Sequence, residues 1–206
     1  MRSVALPRVT RAKLAKSFRL NANGWIVCHA EGDPYTRGFQ IGHHLATEIS
    51  TCVPRLAVFV KHGMKKSWRQ YCREVDRLYS EKLPDEQREE IEGMAKGTAS
   101  AGQSVRSLDI LGANAYFDFF SYYTWLKQRQ KQPSLRPPCC SAFAATGEST
   151  RTGKILIAHN TWFGYGYGSV ANIILSVYPE AGYPFVMQCL PGFVHSGTDW
   201  YINSAG

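Results

Sequence analysis

Apolar residues in the first two thirds of the chain recur three and four positions apart, from residue 35 to about residue 130. This spacing places them on one face of successive α-helices, which indicates core packing. One such run predicts a helix before Pro84 and consists of Trp68, Tyr71, Cys72, Val75, Leu78 and Tyr79.

Two further helices have recognisable starts. Pro84 suits the first helical position, and the acidic residues Asp85 and Glu86 suit the first turn. The apolar face of that helix is formed by Ile91, Met94 and Ala95. Ser107 is predicted to cap a third helix that runs towards Phe119.

The pattern changes to short apolar runs separated by turns after residue 140. Strands are predicted over residues 141–146, 154–159, 171–178, 184–189 and about 198–203, and an earlier one over residues 23–30. The glycine- and tyrosine-rich residues 164–168 lack the Lys-Ser/Thr ending of a phosphate loop and are predicted to form a turn or a substrate-side loop. Helices followed by an antiparallel sheet make the predicted fold class α+β.

Three segments are therefore expected. Residues 1–22 form a flexible basic leader, and residues 23–138 form a mainly helical segment with an initial strand and a proline-rich linker at 127–138. Residues 139–206 form the start of an antiparallel sheet. At 206 residues and 44% apolar content, the chain has enough material for a buried core.

The net charge of +8 is concentrated at one end of the chain. Residues 1–30 carry six basic and no acidic side chains, whereas the remainder carries 18 basic and 16 acidic ones. A basic tail is weak evidence for a nucleic-acid partner, so none is predicted. The tail is interpreted as a flexible leader, with an organelle transit peptide as the alternative. The sequence does not fix the location of the protein, and a cytoplasmic one is favoured. No apolar run is long enough to predict a transmembrane segment.

The histidines and cysteines predict neither a metal nor another cofactor. The six cysteines show no C-x-x-C spacing, so a zinc site is not expected. The adjacent His43 and His44 point about 100° apart on a helix and cannot bind one ion together. They are interpreted as surface or core histidines.

The candidate chemistry lies at the open end of a predicted hairpin. Its strands flank the turn-rich loop 147–153, and a loop centred near Thr150 brings Cys140 roughly opposite Asn160, with His159 one step away. Trp162 follows closely. A thiol, an imidazole and a carboxamide then meet at one place, which is typical of a site for nucleophilic catalysis.

A free thiol is mostly protonated at neutral pH and needs a base to become a nucleophile. Cleavage between Cys139 and Cys140 would free the α-amine of Cys140, and such an amine has a pKa close to that of an ideal general base. The linker before Cys139 offers access for the cut. The alternative from composition and spacing is that Cys140 is a small buried residue at the start of a strand.

The segments Cys140-Ser141-Ala142-Phe143 and Ile157-Ala158-His159-Asn160-Thr161-Trp162 resemble the nucleophile region of phospholipase B-like proteins and of the peptidase C45 acyltransferases, both N-terminal nucleophile hydrolases. Residues 32–42 resemble the early glycine pattern G-x-P-Y-x-R-G-x-Q-x-G of those families. A third similarity comprises Pro191, Gly192, Phe193, Ser196, Asp199, Trp200 and Tyr201.

The resemblance implies a four-layer αββα fold, self-cleavage before Cys140 and a thioester intermediate formed from a small-molecule amide or ester, a lipid among the candidates. Cys140 is the implied nucleophile, with Cys139 as a minor alternative. His159 and Trp162 are implied to shape the site, and Asn160 to hydrogen-bond near the oxyanion.

The family has a longer segment after its nucleophile. The chain is therefore expected to be a truncated member that pairs with a missing C-terminal segment or with a second copy. The alternative function is that of a catalytically silent binding protein.

Overall fold

The computed structural model describes residues 7–129, 140–162 and 164–206. These residues form both helices and strands, which confirms the predicted α+β class. The helices are α1 (Arg8–Leu14), α2 (Pro34–His44), α3 (Ala46–Met64), α4 (Trp68–Tyr79), α5 (Asp85–Ser100), α6 (Ser107–Asn114), α7 (Tyr116–Arg129) and α8 (Tyr165–Gly168). The strands are β1 (Phe18–Ala22), β2 (Trp25–Gly32), β3 (Ser141–Gly147), β4 (Gly153–Asn160), β5 (Ile173–Pro179), β6 (Phe185–Cys189) and β7 (Tyr201–Asn203).

Helices α2 and α5 pack backbone against backbone. Each contributes two glycines four residues apart, and a β-carbon at any of them would lie far inside van der Waals contact with a carbonyl oxygen of the other helix. The pairs of glycine and carbonyl residue are Gly38 with Glu90, Gly42 with Met94, Gly93 with Tyr35, and Gly97 with Phe39. The residues after Pro34 thus pack closely along the helix that starts near Pro84.

An ion pair lies beside this helix contact. The Arg37 guanidinium donates to the Glu90 carboxylate at 2.9 Å and also reaches Glu86. Arg37 and Glu90 are both buried. Burial raises the pKa of Glu90, and the adjacent guanidinium opposes that rise. Because a buried charge needs a partner, this pair favours one register of α2 against α5.

Strands β1, β2, β5, β6 and β7 form one sheet in that order. One of its faces carries the buried side chains of β2, β5 and β6, including Cys28, Leu175 and Met187, and belongs to the same core as the helices. On the opposite face, Leu20, Trp25 and other side chains are exposed. The described residues thus show helices on one side of a sheet.

The prediction of a purely antiparallel sheet is wrong at one pair of strands. Strands β2 and β5 are parallel, from Ile26 opposite Ile173 to Gly32 opposite Pro179. Between β2 and β5 the described residues form helices α2–α7, the β3–β4 hairpin and α8. Such a long crossover permits parallel pairing. Strands β3 and β4 form a separate two-stranded sheet.

The predicted flexible leader is also wrong in its described part. Residues 8–14 form α1, and residues 18–22 form β1 on the edge of the sheet. The turn to β2 is Asn23-Gly24, both with positive φ, which is the preferred chemistry for a two-residue hairpin turn. Arg19 then forms a two-point ion pair with Glu48, with N–O distances of 2.9 and 2.7 Å.

Three local predictions need smaller corrections. Pro84 is the residue before α5, which begins at Asp85. Ser107 is the first residue of α6 and not its cap, since the residue before the helix is Arg106, whose backbone N–H donates to Asp109. Residues 165–168 form a single helical turn where a turn or a loop was expected.

Within the described ranges, no helix combines the length and the apolar content that crossing a bilayer requires. Residues 130–139, which include most of the predicted linker and Cys139, lie outside those ranges.

We expect Gly42→Ala to lower the free energy of unfolding by about 1–3 kcal/mol or more, because the added methyl group forces α2 away from α5. Chemical denaturation measures the change. Gly63→Ala in α3 is the matched control, because its methyl group would meet Phe120 at 3.7 Å and no other side chain of the described residues. That variant is expected to be as stable as the native protein or slightly more so. Equal stability of the two variants would contradict the close helix contact.

We expect His44 to make the protein less stable as the pH falls from 6.5 towards 4. Burial, the neighbouring His43 and Arg19 lower the pKa of His44 from 6.5 to about 4. In this window the unfolded state binds a proton that the folded state does not, so stability rises with pH. His44→Gln should flatten this part of the stability profile, measured by denaturation at several pH values. His62→Gln, at an exposed histidine of α3, should leave the profile unchanged.

Candidate active site

The predicted hairpin is confirmed. Strands β3 and β4 pair from Ser141 opposite Asn160 to Gly147 opposite Gly153, with a shift in register after Ala145. Both glycines have positive φ, which suits the tight connection. The residue opposite Asn160 is Ser141 and not Cys140, so the observed register differs by one residue from the predicted one.

The observed register decides which of His159 and Asn160 shares a face with Cys140. His159 lies opposite Ala142, and because side chains alternate along a strand, it shares a face with Ala142 and with Cys140 two residues earlier. Asn160 lies opposite Ser141 on the other face. The structure therefore brings Cys140 and His159 together and gives Asn160 no place beside them.

Cys140 is exposed at the open end of the hairpin. Its Sγ accepts a hydrogen bond from the backbone N–H of Trp162 at 3.3 Å. The alternative that Cys140 is a buried core residue is therefore wrong. Trp162 contributes this backbone donor, while the residue as a whole is 62% exposed.

A chain of hydrogen bonds orients the half-buried His159. The Thr161 hydroxyl donates to the carbonyl oxygen of Thr198 at 2.8 Å, and Oγ1 of Thr161 lies 3.0 Å from Nδ1 of His159. Because that hydroxyl proton is already engaged, Nδ1–H of His159 is the donor to Thr161. The lone pair of a neutral His159 ring is then on Nε2.

Asp199 completes the cluster from the loop before β7. Its Oδ2 lies 3.8 Å from Nε2 of His159. Sγ of Cys140, a ring nitrogen of His159 and a carboxylate oxygen of Asp199 all lie within 4.8 Å of one another. The Trp200 ring stands edge-on to His159 at 6.1 Å between centroids. A thiol, an imidazole and a carboxylate thus converge at an exposed edge.

The loop that carries Asp199 is held at both ends. The buried Ser196 Oγ accepts from the backbone N–H of Thr198 at 3.3 Å and of Trp200 at 2.9 Å. These bonds support Asp199 in a left-handed conformation with φ 63°, which is uncommon for a residue other than glycine. The loop therefore fixes the backbone from which the Asp199 side chain extends.

Asn114, the last residue of α6, ties this loop to the helices. Its side chain donates to the Gly192 carbonyl oxygen and accepts from the Val194 backbone N–H, both at 2.8 Å. Phe193 between them is buried in the core. The position of Asp199 thus depends on the helical layer.

Sequence reasoning gave no site role to Asp199, Thr161 or Asn114. Asp199 belongs to the third family similarity, and Thr161 lies between Asn160 and Trp162 in the second segment of the first similarity. In the sequence, Thr161 is a hydroxyl residue two positions after a histidine, and Asp199 is an acidic residue in a loop. Their role at the site follows only from the contact between the hairpin and this loop. The predicted cleavage partner Cys139 lies outside the described residues.

The same cluster is the one group among the described residues whose side chains are placed to hold a metal ion. Thiolate, imidazole and carboxylate are all zinc ligands. The sequence predicted no metal site because these three residues have no motif spacing.

The other described cysteines differ from Cys140 in their surroundings. Cys28, Cys52, Cys72 and Cys189 are buried. Burial raises the pKa of Cys28 to about 12 and that of Cys52 to about 11, and it raises the pKa of Cys72 and Cys189 as well. These four thiols are unsuited to nucleophilic chemistry at neutral pH.

Comparison with known proteins gives a distant relative and no activity. No protein-family model matches the sequence. A protein of Archaeoglobus fulgidus described as an uncharacterized protein is 27% identical over 195 residues. The match covers 89% of this chain and 32% of that protein, so the chain spans about a third of the length of this relative.

Among the described cysteines, we expect Cys140 alone to react with iodoacetamide in the folded protein at neutral pH, because the other four are buried as neutral thiols. Peptide mass spectrometry after brief alkylation identifies the modified residue. Cys140→Ser should remove this reaction, and denaturant should make all four buried cysteines reactive. Rapid native labelling of Cys28 or Cys189 would contradict the described burial.

Proposed function

We propose that the chain carries the nucleophile of a cysteine amidohydrolase or acyltransferase of the N-terminal nucleophile type. The observation that supports this best is the exposed Cys140 Sγ beside His159, on one face of the hairpin. The resemblance of residues 140–143 and 157–162 to phospholipase B-like and C45 proteins supports the same chemistry. The same proposal includes the four-layer αββα arrangement of that family.

In the proposed activation step, the thiol cuts its own chain. Sγ of Cys140 gives its proton to Nε2 of His159 and attacks the carbonyl carbon of Cys139. The C–N bond breaks, the nitrogen of Cys140 takes a proton and becomes a primary amine, and water hydrolyses the resulting thioester. Before this cut the Cys140 nitrogen is an amide and not a base, so His159 is the base that the described geometry offers.

In the proposed turnover, the freed amine of Cys140 is the base. The thiolate attacks the carbonyl carbon of an amide or ester, and the amine or alcohol leaves with a proton. Water or an amine acceptor then attacks the thioester, which releases the acyl group and restores the thiol.

The surface around Cys140 favours an apolar acyl group. Ile155 and Ile157 lie on the same hairpin face as His159, by strand alternation, and are 71% and 65% exposed. Trp200 borders the same histidine. An acyl chain laid along this face would cover apolar surface, so we propose a lipid or aryl acyl substrate. A further strand from a C-terminal segment or a second copy is the competing cover for this face.

Self-cleavage is tested by the intact mass of the purified protein. We expect two fragments that meet between Cys139 and Cys140, with Cys140 at the new N-terminus. Cys140→Ala should abolish the cut, and His159→Gln should slow it about 10²–10⁴-fold, the usual contribution of a positioned base. Cys139→Ser is the matched control and should still cleave.

Acylation is tested on the same proteins with p-nitrophenyl esters of short and long acyl chains. We expect an acyl adduct on Cys140 that hydroxylamine removes, and faster formation with long chains. A single uncut chain that forms no adduct would exclude the proposed enzyme and favour the silent binding protein. Adducts on Cys139 that survive in Cys140→Ala would assign the nucleophile to Cys139.

A further inference from the structure

The cluster of Cys140, His159 and Asp199 has a second possible use, the binding of a cation, that does not depend on acyl transfer. All three side chains present electron-pair donors: a sulfur, a ring nitrogen and a carboxylate oxygen, within 4.8 Å of one another. In the described part of the chain, no hydrogen bond joins any two of these three atoms. Such a convergence favours a shared cation.

We propose that these three residues bind a zinc ion, or a similar soft divalent cation, and leave the fourth position open. Around tetrahedral zinc, N and O ligand atoms lie roughly 3.4 Å apart, and a sulfur lies roughly 3.5 Å from either. Nε2 of His159 and Oδ2 of Asp199 are 3.8 Å apart. Small side-chain rotations would close the remaining gap, since the Cys140 thiol and the Asp199 carboxylate are both exposed.

The surroundings of His159 match those of a metal ligand. Histidines that bind metals donate their other ring N–H to an oxygen, which fixes the ring and raises the basicity of the binding nitrogen. Thr161 fills this role at Nδ1, and its own hydroxyl is anchored on the Thr198 carbonyl oxygen. Nε2 is thereby directed towards Asp199.

Asp199 is preorganised for the same purpose. Its left-handed backbone is fixed by the hydrogen bonds to Ser196 on either side, while its carboxylate remains exposed. Because the backbone is already fixed, only the side chain of Asp199 loses entropy when it binds an ion. Three protein ligands and an open position are the arrangement of catalytic rather than structural zinc sites.

Metal binding and acyl transfer exclude each other, because both use the lone pairs of Cys140 Sγ. Binding converts the thiol to a thiolate and releases its proton. Where the proposed enzyme function holds, zinc is therefore a reversible inhibitor of it. The proposed metal site does not depend on the proposed enzyme function.

The test uses cobalt(II) as a spectroscopic probe and zinc in competition with a chromophoric chelator, on full-length protein reduced with a phosphine. We expect one ion per chain, a thiolate-to-cobalt charge-transfer band, and the visible bands of tetrahedral cobalt. Cys140→Ser should lose the charge-transfer band, whereas Cys139→Ser should keep it.

The remaining variants separate direct ligands from supporting residues. His159→Gln and Asp199→Asn should each weaken zinc binding by at least tenfold, and Thr161→Val by about 10–100-fold, the usual cost of losing a partner of a ligating histidine. His195→Gln, at an exposed histidine in the same loop, is the matched control and should bind zinc like the native protein.

Several outcomes would overturn the metal site: no charge-transfer band, a band that follows Cys139, or zinc affinity unchanged by both His159→Gln and Asp199→Asn. If zinc binds as expected while self-cleavage and acyl adducts are absent, the metal site stands and the enzyme proposal fails. If acylation occurs and zinc neither binds nor slows it, only the enzyme proposal stands.

Discussion

The close contact between α2 and α5 is the constraint on which the rest of the structure depends. Four glycines let the two backbones meet, and the Arg37–Glu90 pair favours one register along them. Helix α2 also packs on β2, and α5 packs on α6. The position of α6 in turn sets Asn114, which holds the loop of Asp199. A contact without any catalytic side chain thus determines where a site residue stands.

The hairpin depends on the main body in a different way. Its strands pair with each other and expose apolar side chains such as Phe143 and Ile155. The hydrogen bond from Thr161 to Thr198 links the end of the hairpin to the rigid loop before β7. Because His159 bonds to the same hydroxyl, one threonine both tethers the hairpin and orients the imidazole.

Local patterns predict much of the secondary structure and, of the cluster, Cys140 and His159. Helical spacing identified the buried faces of α4 and α5, and the apolar runs around loop 147–153 identified the hairpin that carries Cys140 and His159. The mostly exposed edge strand β1 is not predicted, although Asn23-Gly24 is a strong turn signal. The parallel pairing of β2 with β5 joins residues almost 150 positions apart, and no local pattern encodes it. The position of Asp199 beside the hairpin is likewise a contact between distant residues. The one-residue error in the predicted register placed Asn160 on the same face as Cys140, whereas it lies on the opposite face.

The surroundings of Cys140 suit the two reactions that we propose for its thiol. A nucleophile that first attacks its own chain and then an external acyl group needs open space on one side and fixed partners on the other. The hairpin end supplies the space, since Cys140 precedes β3 and is exposed, while the Trp162 N–H and His159 are fixed by the strand and by Thr161. The exposed thiol and carboxylate also leave the cluster with His159 open to a metal ion. The accessibility that the proposed acyl chemistry requires is therefore the property that would make metal binding a competing use of the same sulfur.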